Sequence, residues 1–285
     1  MSAQIIRGIF DVLSLSSILI LLVIGMAIIV GMMKVFNMCQ GELVLLGAVT
    51  GYLCGIYLGN FWIGILLAPI VVGLFGLVLE RTIIHRFYVN PQGALLATFA
   101  IGLVMRETLR NRMSRQGTPV DAPIQSSIDI GGASLPVWRI VIMVVTFSLA
   151  LSIGYVLLKT NLGVKVRATL DNPDLVSVSG ISTKWMYAGT YAFGSALSGF
   201  AGVMIVPLQT LYPNLGYDNL ILMFIAVMIG GLGQFAGPLA GAALIAVPGA
   251  IIGQFISPVT GQILILFLAI IFMRFRPGGI FQRGR

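Results

Sequence analysis

GVKVRATLDNPDLVSVSGI, residues 163–181, is a polar, basic stretch set between two long apolar runs. What flanks it decides the fold. Hydrophobic residues make up 58% of the 285 and charged residues only 9%, with mean hydropathy +1.02. A soluble domain carries about 25% charged residues. This chain cannot cover a water-facing surface with so few, so the bilayer must solvate most of its side chains. The stretch 163–181 then reads as a handle that a membrane-embedded body offers to something in the aqueous phase.

A spanning helix needs about 20 mostly apolar residues. Candidate spans lie at about 11–33, 43–58, 62–80, 92–110, 138–158, 186–206, 218–236, 238–253 and 258–275. Some are short enough to be half-helices, which are allowed where protein or water covers the backbone. The expected fold is therefore all-α and polytopic, with eight or nine transmembrane or half-membrane helices in one domain, 1–285. No loop is long enough for a separate soluble domain. The first apolar run leads straight into a second without a small-residue cleavage site, so no cleavable signal peptide is expected.

The net charge of +8 sits at helix ends and in loops (Lys159, Lys165, Arg167, Lys184, Arg274, Arg276, Arg283, Arg285). The positive-inside rule puts it there, and a nucleic-acid surface is not implied. The tail RFRPGGIFQRGR, 274–285, has four arginines and no acid, which predicts a cytoplasmic C-terminus. The loops 159–185 and 81–90 follow it to that side. PLQTLYPNLGY, 207–217, has no Lys or Arg and belongs outside. So does 112–137, whose Pro119, Pro123, Gly131, Gly132 and Pro136 predict irregular chain or a short hairpin. RETLRNRMSR, 106–115, is out of place on the outer side with its four arginines. Two readings fit it: a helix end that snorkels to headgroups, or a docking surface for an acidic external partner.

Two glycine series stand out. Gly47, Gly51, Gly55 and Gly59 recur every fourth residue, and Gly233, Gly237 and Gly241 do the same. Such ladders let helix backbones approach closely. GLGQFA, 231–236, imitates a dinucleotide fingerprint, but no Asp or Glu follows Asp218 to hold a ribose. A Walker A sequence is absent as well, so any ATP driving this system is hydrolysed on another chain. Cys39, Cys54 and the single histidine, His85, have no metal-ligand spacing, and no nucleophile–base set suggests an enzyme.

KVFNMCQGE, 34–42, interrupts an apolar run with Lys34, Asn37, Gln40, Gly41 and Glu42. Polar groups at membrane depth face a cavity or a partner, and a helix broken there frees backbone groups for a polar solute. Asn37, Gln40 and Glu42 are thus candidates for lining a solute path. The competing reading is a cytoplasmic turn with Glu42 at a helix N-terminus, where the dipole favours it. In the handle, Asn172 can cap a helix begun by Pro173. Asp174 suits its positive end, Leu175, Val176 and Val178 offer an apolar face, and Gly180 can end it. This is a short capped helix suited to a groove on another protein, or else a plain amphipathic surface helix.

The same residues resemble a known family. Gly163, Arg167-Ala168, Asn172-Pro173-Asp174 and Gly180-Ile181 look like the cytoplasmic coupling loop of the branched-chain amino acid type ABC-transporter permeases. FNMCQGELVLLGA (36–48), GGLGQFAGPLAG (230–241) and RFRPGGIF (274–281) are similar to that family's other motifs, in order along the chain. The resemblance implies an importer permease of the bacterial inner membrane that pairs with a second, related permease. Two cytoplasmic ATPases using ATP and Mg would dock on the handle, and a periplasmic binding protein would deliver the solute. Arg167, Asn172, Pro173, Asp174, Leu175, Val176, Gly180 and Ile181 would be the ATPase-coupling residues. There are departures. Gln40 stands where the family commonly has His, and Leu175-Val176 replace a small Ala pair. The family includes permeases for urea and short-chain amides, and ERTIIHRFYVNPQGALLATFAIGL (80–103) looks closer to that branch. A stand-alone secondary transporter or channel is the alternative of a different class; it would need coupling ions of its own and no handle.

Overall fold

The computed structural model describes residues 2–33, 37–88, 90–111, 113, 117–231, 235–255, 258–276 and 278–280. Its helices are α1 (Ser2–Met33), α2 (Gln40–Tyr57), α3 (Phe61–Thr82), α4 (Pro91–Arg110), α5 (Val137–Lys159), α6 (Asn161–Asp171), α7 (Pro173–Val178), α8 (Thr183–Ile205), α9 (Leu215–Gly230), α10 (Ala236–Phe255) and α11 (Pro258–Phe275). The only strands among the described residues are β1 (Ser127–Ile130) and β2 (Ala133–Pro136). They form the hairpin expected within 112–137, in register Ile128 with Leu135. Gly131 and Gly132 close it with φ of 59° and 83°, the two positive values that a tight two-residue hairpin turn demands.

Each expected span appears as a helix, and α6 and α7 build the handle. Five helical stretches are long and apolar enough to cross a bilayer: Ile6–Gly31, Phe61–Thr82, Val137–Lys159, Thr183–Leu208 and Ala236–Gly253. Leu215–Gly230 and Ile263–Phe272 are apolar but shorter. The chain is a polytopic, all-α integral membrane protein. Helix starts follow local chemistry. Asn60 accepts a hydrogen bond from Trp62 N at 3.0 Å to open α3, and Asn90 one from Gly93 N at 3.1 Å, with Pro91 leading α4.

The bundle is organised around α8. A Cβ on Gly76 would lie 2.5 Å from Ser195 Cβ, and one on Gly199 would lie 2.6 Å from Val72 Cβ, so α3 runs antiparallel to α8. Gly25 meets Gly194 and Ser198, and Gly194 meets Ile29, so α1 is antiparallel too. Gly47 meets Gly199 and Gly51 meets Val203, so α2 runs alongside α8 in the same direction. Small residues let these backbones touch. The glycine ladder is only half used. Gly47 and Gly51 are in the contact, Gly55 has ordinary spacing to Phe61 at 3.9 Å, and Gly59 faces open space. Gly59 left the ladder because α2 ends at Tyr57; its φ of 63° serves the turn into α3. In the second series Gly237 meets Gly230, and Gly241 meets Ala226 and Gly230. Gly233 lies outside the described residues.

These pairings define two ends. At one lie the handle, the 84–87 turn and the α9–α10 turn. Arg81 stacks over Trp185 at 3.7 Å, the rings of Tyr88 and Tyr187 are 4.8 Å apart, and Ile280 N bonds to Ile229 O at 2.9 Å. At the other lie the start of α1 and the hairpin. There Arg139 bonds to Asp11 at 2.8 Å, and Thr118 bridges to Leu211. The described residues of 81–88, 159–185 and 278–280 thus share an end, and those of 117–137 and 207–217 share the opposite one.

Candidate functional site: a capped handle and a polar break

The handle is built by caps. Thr160 Oγ1 accepts from Gly163 N at 3.4 Å to start α6, and Asn172 Oδ1 accepts from Leu175 N at 3.1 Å to start α7 behind Pro173. Asp174 lies in the first turn of α7 and is exposed. Gly180, at φ 81°, donates to Ser177 O at 3.1 Å, and Ile181 N reaches back to Val176 O at 3.3 Å. These bonds satisfy carbonyls that a helix end leaves open. Arg167 donates to Leu157 O at the end of α5, so its guanidinium folds the handle back onto the bundle.

The apolar face is narrower than the sequence suggests. Leu175 and Val178 are 65% and 87% exposed, whereas Val176 is 7% exposed and packs inward. Residues three apart share a helix face, and neighbours do not. Leu175 and Val178 are the apolar residues that α7 presents, and α6 adds Leu162 and Val164.

The second feature is the break between α1 and α2. Its described polar residues are buried in the bundle, with Asn37 reaching Tyr191 and Gln40 reaching Ser198 of α8. Asn37, Gln40 and Glu42 are buried at 3%, 0% and 2% exposure. Asn37 Nδ2 donates to Gln40 Oε1 at 3.1 Å and to Tyr191 Oη at 2.9 Å, while Asn37 Oδ1 accepts from Cys39 N at 3.0 Å. Gln40 Nε2 donates to Ser198 Oγ, which donates in turn to Gly194 O at 3.0 Å. α1 therefore comes in from the hairpin end, and α2 begins at this buried polar cluster.

Glu42 Oε1 accepts from Arg106 Nε of α4 at 2.9 Å, and Arg106 also lies over the Tyr217 ring of α9 at 4.6 Å. Glu42 Oε2 is buried without a hydrogen-bond partner. The misplaced arginine cluster is thereby explained in part. Arg106 turns inward onto a buried acid, and Arg110 bonds to Glu107 at 2.9 Å and to Asn214 at 3.2 Å. Arg106 is thereby turned away from solvent, whereas Arg110 stays partly exposed. Arg112 and Arg115 lie outside the described residues. Toward the handle end, the Tyr88 hydroxyl donates to Glu80, and burial together with that carboxylate raises the phenol above its ordinary pKa.

Sequence reasoning found the break but not the residues of other helices that complete it. Tyr191 and Ser198 were lost in an apolar run, although their seven-residue spacing puts both on one face of α8. Arg106 was noticed only as an anomaly.

A many-helix membrane body with a buried polar break at its centre and a capped handle at one end is the build of a transporter subunit. The family of branched-chain amino acid transport system permease components matches residues 8–273, and the chain belongs to that family. It is 24% identical to the high-affinity branched-chain amino acid transport system permease protein LivH of Salmonella typhimurium, over 98% of this chain and 96% of that one. It is 23% identical to BraD of Pseudomonas aeruginosa, described in the same words, over 98% and 95%. It is 27% identical to the probable LivH of Methanocaldococcus jannaschii over 83% and 78%. The family read from the motifs is the family found.

Proposed function

We propose that this chain is one of two related permeases in an ATP-driven importer for a small zwitterionic solute, a branched-chain or similar amino acid. Two ATPases bind ATP and Mg, hydrolyse the ATP and grip the handle, and a periplasmic binding protein delivers the solute to the hairpin end. The handle and the C-terminus face the cytoplasm of a bacterial inner membrane. Arg81, Arg86, Lys159, Lys165, Arg167, Lys184, Arg274 and Arg276 gather at that end, as the positive-inside rule favours. The observation that carries this reading is the exposed Leu175–Val178 pair on a capped helix. An exposed apolar pair on a capped helix suits a partner's pocket. Asn37, Gln40 and Glu42 then line or gate the path.

The test is purification in mild detergent, followed by uptake in proteoliposomes with the loaded binding protein. Two nucleotide-binding subunits and a second permease should co-purify. Leu175→Asp with Val178→Asp should abolish that association while leaving the membrane body folded; uptake that survives this pair refutes the handle's role. Urea or a short amide is the second reading of the cargo, resting on residues 80–103. Titrating the binding protein with leucine, urea and acetamide separates the two.

A further inference from the structure

We infer that Glu42 and Arg106 are the selectivity gate of the solute path: closed on each other they seal it, and parted they hold the two ends of a zwitterion. The inference rests on the importer reading above and adds the residues that would recognise the cargo.

Three observations carry it. First, the pair joins separate helices in the bundle's interior, beside Tyr217 in the first turn of α9, with Glu42 2% and Arg106 14% exposed. A buried ion pair gains little stability over a well-packed apolar pair, so stability alone does not account for its presence. Second, the carboxylate is half used, because Oε2 is buried with no hydrogen-bond partner. A second cationic donor can be taken there. Third, α4 is the wall of the break. Met38 N bonds to Thr98 Oγ1 at 3.1 Å, Cys39 Sγ lies 3.4 Å from Met105 Sδ, and Gly102 packs on Cys39 and Met38. The opposite face of α4 shows Leu96 and Val104 to the surroundings at 67% exposure each. Moving α4 outward opens the pair and bares Asn37 and Gln40 together.

An α-amino acid carries an ammonium and a carboxylate on one carbon. Glu42 accepts from the ammonium, and Arg106 donates to the carboxylate in the fork geometry that guanidinium favours. Each solute end replaces the ionic partner that the gate loses, so opening leaves no uncompensated buried charge. Urea or acetamide has no charges to offer and leaves both halves unpaired. The gate therefore favours zwitterions by the penalty it places on neutral solutes.

The experiment uses the complete complex in proteoliposomes, with labelled leucine, urea and acetamide each offered. Glu42→Gln with Arg106→Gln keeps the shape and a hydrogen bond and removes both charges. Leucine uptake should fall by at least about tenfold while assembly with the ATPases and the melting temperature stay at the parent's values. Glu42→Asp with Arg106 unchanged retains both charges and the guanidinium fork, and should keep more of the uptake than the Gln pair. Leucine uptake within about twofold of the parent in the Gln pair overturns the gate; so does loss of uptake and assembly together, which would make the pair structural only. A parent complex that moves urea or acetamide but not leucine overturns the amino acid reading and the gate at once, whereas a leucine-transporting Gln pair overturns the gate alone.

Discussion

Gly47→Ala adds one methyl group at a tight point of the α2–α8 contact. Its Cβ would lie 2.5 Å from Gly199 Cα and 2.6 Å from Gly199 C. Carbon atoms settle at about 3.5–4.0 Å, so the two backbones must part by about 1 Å. A gap of that size forfeits about a quarter to a half of each neighbouring dispersion well, and overpacking of this kind costs about 1–3 kcal/mol. Ala returns up to about 1 kcal/mol through better helix propensity. The net is a loss of about 1–2 kcal/mol, or roughly 2–8 °C in the melting temperature of a chain of this size. Gly55→Ala is the control. It sits on the same ladder, but its Cβ would meet only Phe61 Cδ2, at 3.9 Å, so it should be neutral or slightly stabilising. The assay is intrinsic tryptophan fluorescence during heating in one detergent, with both variants and the parent side by side. Equal melting temperatures for the two variants would refute the argument that the 47–199 contact, and not the sequence ladder, limits side-chain size.

Three further outcomes are expected. Arg106→Met leaves Glu42 buried without its cation and should cost about 3–5 kcal/mol, seen as a large loss of folded yield that adding Glu42→Met largely restores. Asn172→Ala removes the cap on Leu175 N at about 0.5–2 kcal/mol, so amide exchange across 175–178 should speed up several-fold while α8 is unchanged. Trp138 Nε1 donates to Met204 O at 3.1 Å in a buried site; Trp138→Phe strands that carbonyl and should lower the melting temperature by the equivalent of about 1–3 kcal/mol.

The fold was legible in the sequence because membrane spans are written in long apolar runs, and because Asn172-Pro173 announces a helix start from local chemistry alone. The completion of the break was not, because it depends on which faces of distant helices meet. Gln40 could be read as polar and out of place. That Ser198 receives it, and that Arg106 comes across from α4 to Glu42, is decided by packing that no local pattern encodes. The Val176 misreading has a related origin: composition gave three apolar residues in a row of four, and helical phase turned one of them inward. Gly59 shows the opposite limit, since a perfect spacing continued past the point where the helix had ended.

The position of α1 has a consequence for biosynthesis. This helix leaves the ribosome before the helices it packs on, yet 67% of its apolar window is buried, and its partners α8 and α10 are made some 150 to 200 residues later. At about 5–20 residues per second, α1 waits on the order of ten seconds or more with its future core face against lipid or an insertase. Its sequence tolerates the wait. Leu21, Leu22, Val23, Met26 and Val30 are as content with acyl chains as with protein, and Ser16 and Ser17 spend their hydroxyls on Val12 O and Leu13 O of their own helix at 2.7 and 2.8 Å. The apolar face of α1 is thus at home in lipid long before the partners that bury it exist.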